Sequence, residues 1–190
     1  MEKEYNIILS SNSPRRKELL TGLDIKFDVL VIPHIDESYP EDLPVEDIAE
    51  YISREKADAY KKDIKELDLV ITADTIVVCE NKVLGKPKNE EEAKTMLHFL
   101  SGKTHSVITG VCLTTKEKQR HFSVKTEVTF KKLLDSEIDY YIKNYKPFDK
   151  AGAYGIQEWI GYIGVNAIKG SYFNVMGLPV QRIYDELNKF

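Results

Sequence analysis

One acid interrupts the most apolar stretch of the chain. Leu69-Val70-Ile71-Thr72-Ala73-Asp74-Thr75-Ile76-Val77-Val78 is rich in β-branched residues and reads as a strand buried on both faces. A carboxylate left unpaired there loses its hydration and gains nothing in return, so some partner must stabilise the Asp74 charge. Two readings stand side by side. One is a structural acid that caps a turn or pairs with a buried base. The other is a catalytic or metal-binding carboxylate at the mouth of a cleft, where perturbed acids cluster.

Five further stretches carry groups suited to the same chemistry. Ser10-Ser11-Asn12-Ser13-Pro14-Arg15-Arg16 brings hydroxyls and two arginines to the start of a helix. Backbone N–H groups, the positive end of the helix dipole and guanidinium groups together favour phosphate. No glycine-rich phosphate loop is present, and a plainly capped helix with solvated charges reads equally well. Asp36-Glu37 places two carboxylates in a polar loop, and by spacing alone they suit a solvated turn. Lys56 lies on the edge of an apolar helical stripe, from which it either snorkels to water or turns its ammonium into a cleft. Lys86 sits between Gly85 and Pro87 and is therefore presented from a restricted backbone. In the small-residue stretch Asp149-Lys150-Ala151-Gly152-Ala153-Tyr154-Gly155-Ile156-Gln157, the Gln157 amide carries a donor and an acceptor that can read a planar base edge.

The elements that must position these groups are marked by their ends. Tyr5 to Leu9 forms a strand, and Ser13 as N-cap, Pro14 in the first turn and Gly22 as the stop bound the helix after it. Lys26 to Ile32 is expected as a second strand closed by Pro33. A helix is expected from Pro44 to about Lys62, with Val45, Ile48, Ala49 and Ile52 on its buried face. Glu80-Asn81-Lys82 makes a tight turn, and Asn89 with Glu92 resembles a capping box opening a helix to Leu100. Thr104 to Thr115 and Gln119 to Phe130 form two long strands, most simply antiparallel. Asp135 to Tyr145 is a helix with Ile138, Tyr141, Ile142 and Tyr145 on one side. Trp159 to Val165 reads as a strand or as more of the binding loop. Pro179 opens a last helix with Val180, Ile183, Tyr184 and Leu187 turned inward.

Composition narrows the function classes. The 190 residues suffice for one substantial core or two small lobes, and no linker is visible between lobes. A net charge of −4 argues against general affinity for nucleic-acid backbone. No apolar stretch is long enough to span a bilayer, and Met1-Glu2-Lys3-Glu4 lacks a signal-peptide pattern, so a cytoplasmic location is expected. Cys79 and Cys112 lie in apolar runs and are expected as buried free thiols. The four histidines, His34, His98, His105 and His121, have no zinc-ligand spacing.

Six motifs in order over almost the whole chain resemble the Maf family. They are Leu9 to Arg16, Ala73-Asp74-Thr75, Gly85-Lys86-Pro87, Ser101-Gly102-Lys103-Thr104-His105, Asp149 to Gln157, and Gly170-Ser171-Tyr172 through Leu178-Pro179. The resemblance implies one Maf-like domain over residues 1–190 of class α/β, a mixed sheet flanked by helices in an inosine-triphosphatase-like arrangement of two lobes around a central cleft. It implies a nucleoside triphosphate pyrophosphatase that needs magnesium or manganese and, by Arg15, Thr75 and Gln157, resembles the subgroup acting on dTTP and UTP. Asp74 would be the general base or a metal ligand, with Glu37 completing the metal site. Arg15, Lys56 and Lys86 would offset the triphosphate charge, while Ser11, the N–H groups near Ser13, and Arg16 complete the substrate contacts. One departure from the pattern is Glu158-Trp159, where the family commonly has Gly after the Gln. The expected partner is the nucleotide, with no stable nucleic acid and no membrane, and exposed strand edges and the Tyr-rich helix leave room for a homodimer. Three other functions compete: a house-cleaning pyrophosphatase for modified nucleotides, a non-catalytic interaction protein of the septum-inhibition kind, and a nucleotide-binding domain with no chemistry.

Overall fold

Hydrogen-bonding demands of the apolar runs are met by one mixed sheet. The structure is a computed structural model that describes residues 4–190, so the signal-peptide reading of Met1-Glu2-Lys3 lies outside the described residues. Strand β1 (Asn6–Leu9) pairs in parallel with β2 (Phe27–Val29) on one side and with β3 (Asp68–Cys79) on the other. β3 turns back through Glu80 and Asn81, both at positive φ, into the antiparallel β4 (Lys82–Leu84). Positive φ at both central residues is the two-residue hairpin geometry that suits a right-handed twist. β5 (Thr104–Thr114), β6 (Gln119–Phe130) and β7 (Val165–Lys169) complete the order β2-β1-β3-β5-β6-β7, with β4 beside β3.

The chain divides into two compact units, with boundaries inside β3, β5 and β6. The first comprises the chain up to Asp74, Thr109–Val124 and Gly177–Phe190. Here α1 (Pro14–Thr21) begins at Ser13, whose side chain accepts from the Arg16 amide, as the sequence implied. Helix α2 (Ile48–Asp58) buries Ile48, Ala49, Ile52 and Ala57. It lies so close to β5 that a Cβ on Gly110 would fall 2.2 Å from the Ala49 carbonyl carbon. Helix α7 (Val180–Leu187) turns Val180, Ile183 and Leu187 inward. Its buried Glu186 accepts from Arg120 Nε at 2.7 Å, and Arg182 and Lys189 complete the neutralisation at 3.0 and 2.7 Å.

The second unit comprises Thr75–Ile108 and Lys125–Met176. Its core gathers Val77, Cys79, Leu97, Leu100, Phe130, Ile138, Tyr141, Tyr154 and Ile160. Helix α3 (Glu90–Leu100) is capped by Asn89, which accepts from the Glu92 amide at 2.9 Å, while Glu92 reaches one residue further back, to the Lys88 amide. Helices α4 (Asp135–Tyr145), α5 (Trp159–Gly164) and α6 (Tyr172–Met176) follow.

Several expectations need correction. The second strand stops at Val29: the Leu30 amide still reaches the Leu9 carbonyl at 3.2 Å, but the Leu30 carbonyl and the Ile32 amide are taken up by the Tyr60 hydroxyl. The helix expected over 44–62 opens as a 3₁₀ turn at Val45–Asp47 and ends at Asp58. Trp159–Gly164 is neither strand nor loop but a helix, with Glu158 extended before it and the strand beginning only at Val165. Tyr184 is 52% exposed, because the buried stripe of α7 is narrow and a phenol keeps its hydroxyl in water. Tyr145 is likewise at the surface, stacked on Tyr141 with centroids 5.1 Å apart. Cys79 and Cys112 are buried free thiols. Among the described residues, no helix is long and apolar enough to cross a membrane.

Candidate functional site

Asp74 ends the first unit's share of β3, and its partner comes from α2. Thr72 on β3 donates to the Ser53 carbonyl on α2 at 2.6 Å, which fixes the helix beside the strand one turn before Lys56. Lys56 then reaches Asp74 Oδ1 at 2.7 Å and Glu37 Oε1 at 2.8 Å with the same nitrogen. The Lys56 and Asp74 side chains are 14% and 15% exposed and Glu37 is 55% exposed, so the centre is shielded on the strand side and wet on the loop side. Lys56 therefore turns inward instead of snorkelling, and the charge of Asp74 has its partner. Asp36, by contrast, closes a turn: it accepts from the Ser38 amide and hydroxyl, both at 2.9 Å, which holds its carboxyl below the usual range.

Arg16 is fastened to the backbone on either side of this centre. Its Nε donates to the Gly177 carbonyl and its Nη1 to the Ala73 carbonyl, both at 2.8 Å. Burial lowers the guanidinium pKa from its ordinary value, against the opposing pull of Asp74; Arg15 and Glu37 also act on it. The helix start offers fewer free amides than its sequence suggests. The Ser13 amide donates to Ser11 Oγ at 3.2 Å, the Arg16 amide donates to Ser13 Oγ at 3.4 Å, and Pro14 has none. Each serine oxygen accepts in these bonds and keeps a hydroxyl proton to give.

A residue the sequence did not point to organises this unit. The Tyr60 hydroxyl donates to the Leu30 carbonyl at 2.9 Å and accepts from the Ile32 amide at 2.9 Å. Its contact with Ser10 Oγ at 2.6 Å must then be a bond that Ser10 donates, which saturates the phenol. Tyr60 thus joins the end of β1, just before Ser11, to the segment leading to Glu37. Nothing local in the sequence marks it, since all three bonds are long-range.

The second unit holds Thr75, Lys86 and Gln157. The exposed Lys86 lies between Gly85, whose carbonyl accepts from the Gly152 amide at 3.0 Å, and the buried Pro87. Gly152 also lies close to Val77, two residues beyond Thr75 on β3: a Cβ on Gly152 would fall 3.0 Å from the Val77 side chain. Gln157 is half-buried, and its Oε1 is buried with no hydrogen-bond partner. His105 Nε2 meets the Tyr154 hydroxyl at 2.8 Å, edge-on to Phe130 and Tyr154, and anchors the middle of the Gln157 loop. Burial lowers its pKa to about 4.

The donor set suits a hard cation. Asp74 and Glu37 supply two carboxylates converging on a single positive nitrogen, and among the described residues no group of three or more His, Cys, Asp or Glu gathers as a metal cage. Carboxylate oxygens are the ligand type that a hard divalent cation takes, alongside water and phosphate.

These features define a mixed α/β protein with a shared carboxylate–ammonium centre in one unit and a small-residue amide loop in the other. Comparison with known proteins makes the assignment specific: the chain matches the family described as Maf-like protein over residues 6–190, and it belongs to that family. It is 64% identical over 187 residues to a protein of Phocaeicola vulgatus named dTTP/UTP pyrophosphatase, covering 98% of this chain and 97% of that one. Relatives of the same name from Parabacteroides distasonis and Bacteroides thetaiotaomicron are 60% and 58% identical, covering 99% and 98% of this chain and 97% and 96% of theirs. The crystal structure of a nucleoside-triphosphatase, dITP/XTP pyrophosphatase, from Mycobacterium abscessus is a distant likeness, at 12% identity and a TM-score of 0.43 over 96% of this chain and 94% of that one.

Proposed function

We propose that the chain is a nucleoside triphosphate pyrophosphatase that hydrolyses dTTP and UTP to the monophosphate and pyrophosphate. The observation that carries the reading is Asp74, held in a buried strand by an ammonium it shares with Glu37, in a chain 58–64% identical to three relatives bearing that activity in their names. The family match across residues 6–190 supports treating the two units as parts of a single Maf-like domain.

Asp74 takes a proton from a water molecule, whose oxygen forms the new P–O bond as the bond between the α- and β-phosphates breaks. Pyrophosphate departs with the electron pair of that bond. Arg15, Lys56 and Lys86 oppose the charge that builds on it, an effect that grows toward the transition state. Ser11 and Ser13 donate their hydroxyl protons to phosphate oxygens. Arg16 completes the phosphate-facing set while its bonds to Ala73 and Gly177 hold the middle of β3 in place. Thr75 and Gln157 face the nucleoside, Gln157 through an amide that offers acceptor and donor to a base edge. Asp74 and Glu37 would be the residues to hold magnesium or manganese, which would supply Lewis-acid charge to the phosphate oxygens when bound.

The test is pyrophosphate release from a panel of ribo-, deoxyribo- and modified nucleoside triphosphates with magnesium or manganese, run on wild type beside Asp74→Asn. Cleavage of dTTP and UTP by the wild type alone is expected. Activity confined to modified pyrimidines would replace this substrate assignment with a house-cleaning one, and absence of metal-dependent turnover on every nucleotide would overturn the reading.

A further inference from the structure

Glu158 directly follows Gln157, and its carboxylate is built into the support of the Gln157 loop. Tyr141, fully buried on α4, accepts from the Gly155 amide at 2.9 Å and donates to Glu158 Oε2 through a short hydrogen bond. Lys150, itself buried, gives Nζ to Glu158 Oε1 at 3.1 Å and to Asp149 Oδ1 at 2.7 Å. Both ends of the loop are therefore tied to one rigid helix through a single phenol and a single carboxylate. Burial, with the Glu158 carboxylate next in importance, pushes the Tyr141 pKa up, so the phenol keeps the proton it donates. The fit is close: a Cβ on Gly155 would fall 2.9 Å from the Glu158 carboxyl carbon.

Gln157 lies between the clamped residues 155 and 158, and its Oε1 is a buried acceptor that no protein donor satisfies. An acceptor withheld from water and from the protein is costly unless a ligand donor meets it. Uracil and thymine present a ring N3–H donor beside a carbonyl acceptor, which complements an amide, whereas cytosine presents an unprotonated N3 at the same place. We propose that Glu158 is a positioning residue that, through Tyr141 and Lys150, holds Gln157 in register with the imide edge of uracil or thymine and so sets discrimination against cytosine nucleotides. The inference rests on the base-facing role given to Gln157 above.

The experiment pairs two readouts on wild type, Glu158→Ala and the milder Glu158→Gln. Calorimetric titration with UMP and with CMP needs no turnover. Kinetics with UTP, dTTP and CTP at saturating magnesium separate KM from kcat. Glu158→Ala should weaken UMP binding and raise the KM for UTP and dTTP about tenfold, leave kcat within about twofold, and shrink the UTP-over-CTP preference. Glu158→Gln keeps an acceptor for Tyr141 and should lose less of each. If folded variants keep the wild-type UMP-to-CMP ratio, or lose both nucleotides equally in step with melting temperature, Glu158 is structural and the proposal falls. A wild type that prefers UMP to CMP, loses that preference in Glu158→Ala and hydrolyses nothing would overturn the activity while supporting this inference. A wild type that binds neither nucleotide would overturn both.

Discussion

The two compact units solve the problem of holding polar groups still in different ways. In the first, charges hold charges: Lys56 is shared by Asp74 and Glu37, and buried Glu186 is ringed by Arg120, Arg182 and Lys189. In the second, packed rings and neutral hydrogen bonds carry the loop, as in the cluster of His105, Phe130 and Tyr154, and the buried Lys150, shared by Asp149 and Glu158, is the charged exception. Breaking a partly buried ion pair leaves an uncompensated charge that acts directly on chemistry. Disturbing packed small residues and rings displaces backbone, which acts on stability and fit. Lys86 apart, whose charge is assigned to the phosphates, substitutions in the first unit should therefore register chiefly in turnover, and those in the second in stability and nucleotide preference.

The largest effect expected is at the shared centre. Asp74→Asn removes charge and basicity at nearly constant volume and should lower kcat about 10³-fold, in the range of a lost general base, with a melting temperature close to wild type. A parallel collapse of melting temperature and activity would make Asp74 structural and erase the contrast. Its counterpart in the second unit is Gly161→Ala, where the new Cβ would fall 1.8 Å from the Ile156 carbonyl oxygen. Denaturant unfolding should show a loss of about 4 kcal/mol or more, because backbone must move; a loss under about 1 kcal/mol would mean that α5 shifts freely.

A smaller effect follows from pH. The unfolded chain protonates His105 near pH 6.5, whereas the folded chain resists protonation until about pH 4. The imidazole's contribution is therefore fully present above about pH 6.5 and declines as pH falls to about 4, by about 3 kcal/mol in all. Unfolding free energies of wild type and His105→Phe, compared across that window, should differ by a pH-dependent amount; a constant difference would show that His105 titrates alike in both states. The smallest effect belongs to Tyr60→Phe. It removes one hydroxyl with three partners and should cost about 1–2 kcal/mol of stability, read by thermal unfolding. Because that hydroxyl ties the Glu37 segment to β1, kcat/KM should fall several-fold as well, and unchanged kinetics would show that Glu37 needs no such tether.

Legibility in the sequence followed the range of the interactions. The Ser13 and Asn89 caps, the Glu80-Asn81 hairpin turn and the β3 run rest on residues a few positions apart, and each formed where expected. Where a distant partner intervened, the local pattern lost. Tyr60 captured the backbone beyond Val29 from 30 residues away. At Trp159–Val165 the apolar run was ambiguous because two glycines among five large apolar and aromatic residues suit several backbones, and packing selected the helix.

The order and chemistry of the motifs, the likeness to Maf and the acid isolated within a strand are properties of the sequence alone, because local backbone preference and side-chain type suffice to define them. The choice between the two fates of Lys56 needed the tertiary structure, since Glu37 and Asp74 lie on different elements and meet only when α2 is seated on the sheet. So did the attachment of Arg16 to Gly177, 161 residues away, and the seat of Glu158 under Tyr141 and Lys150. A side chain carries its charge and reach in its identity, but the partner that determines its direction is supplied by chain folded back from far away.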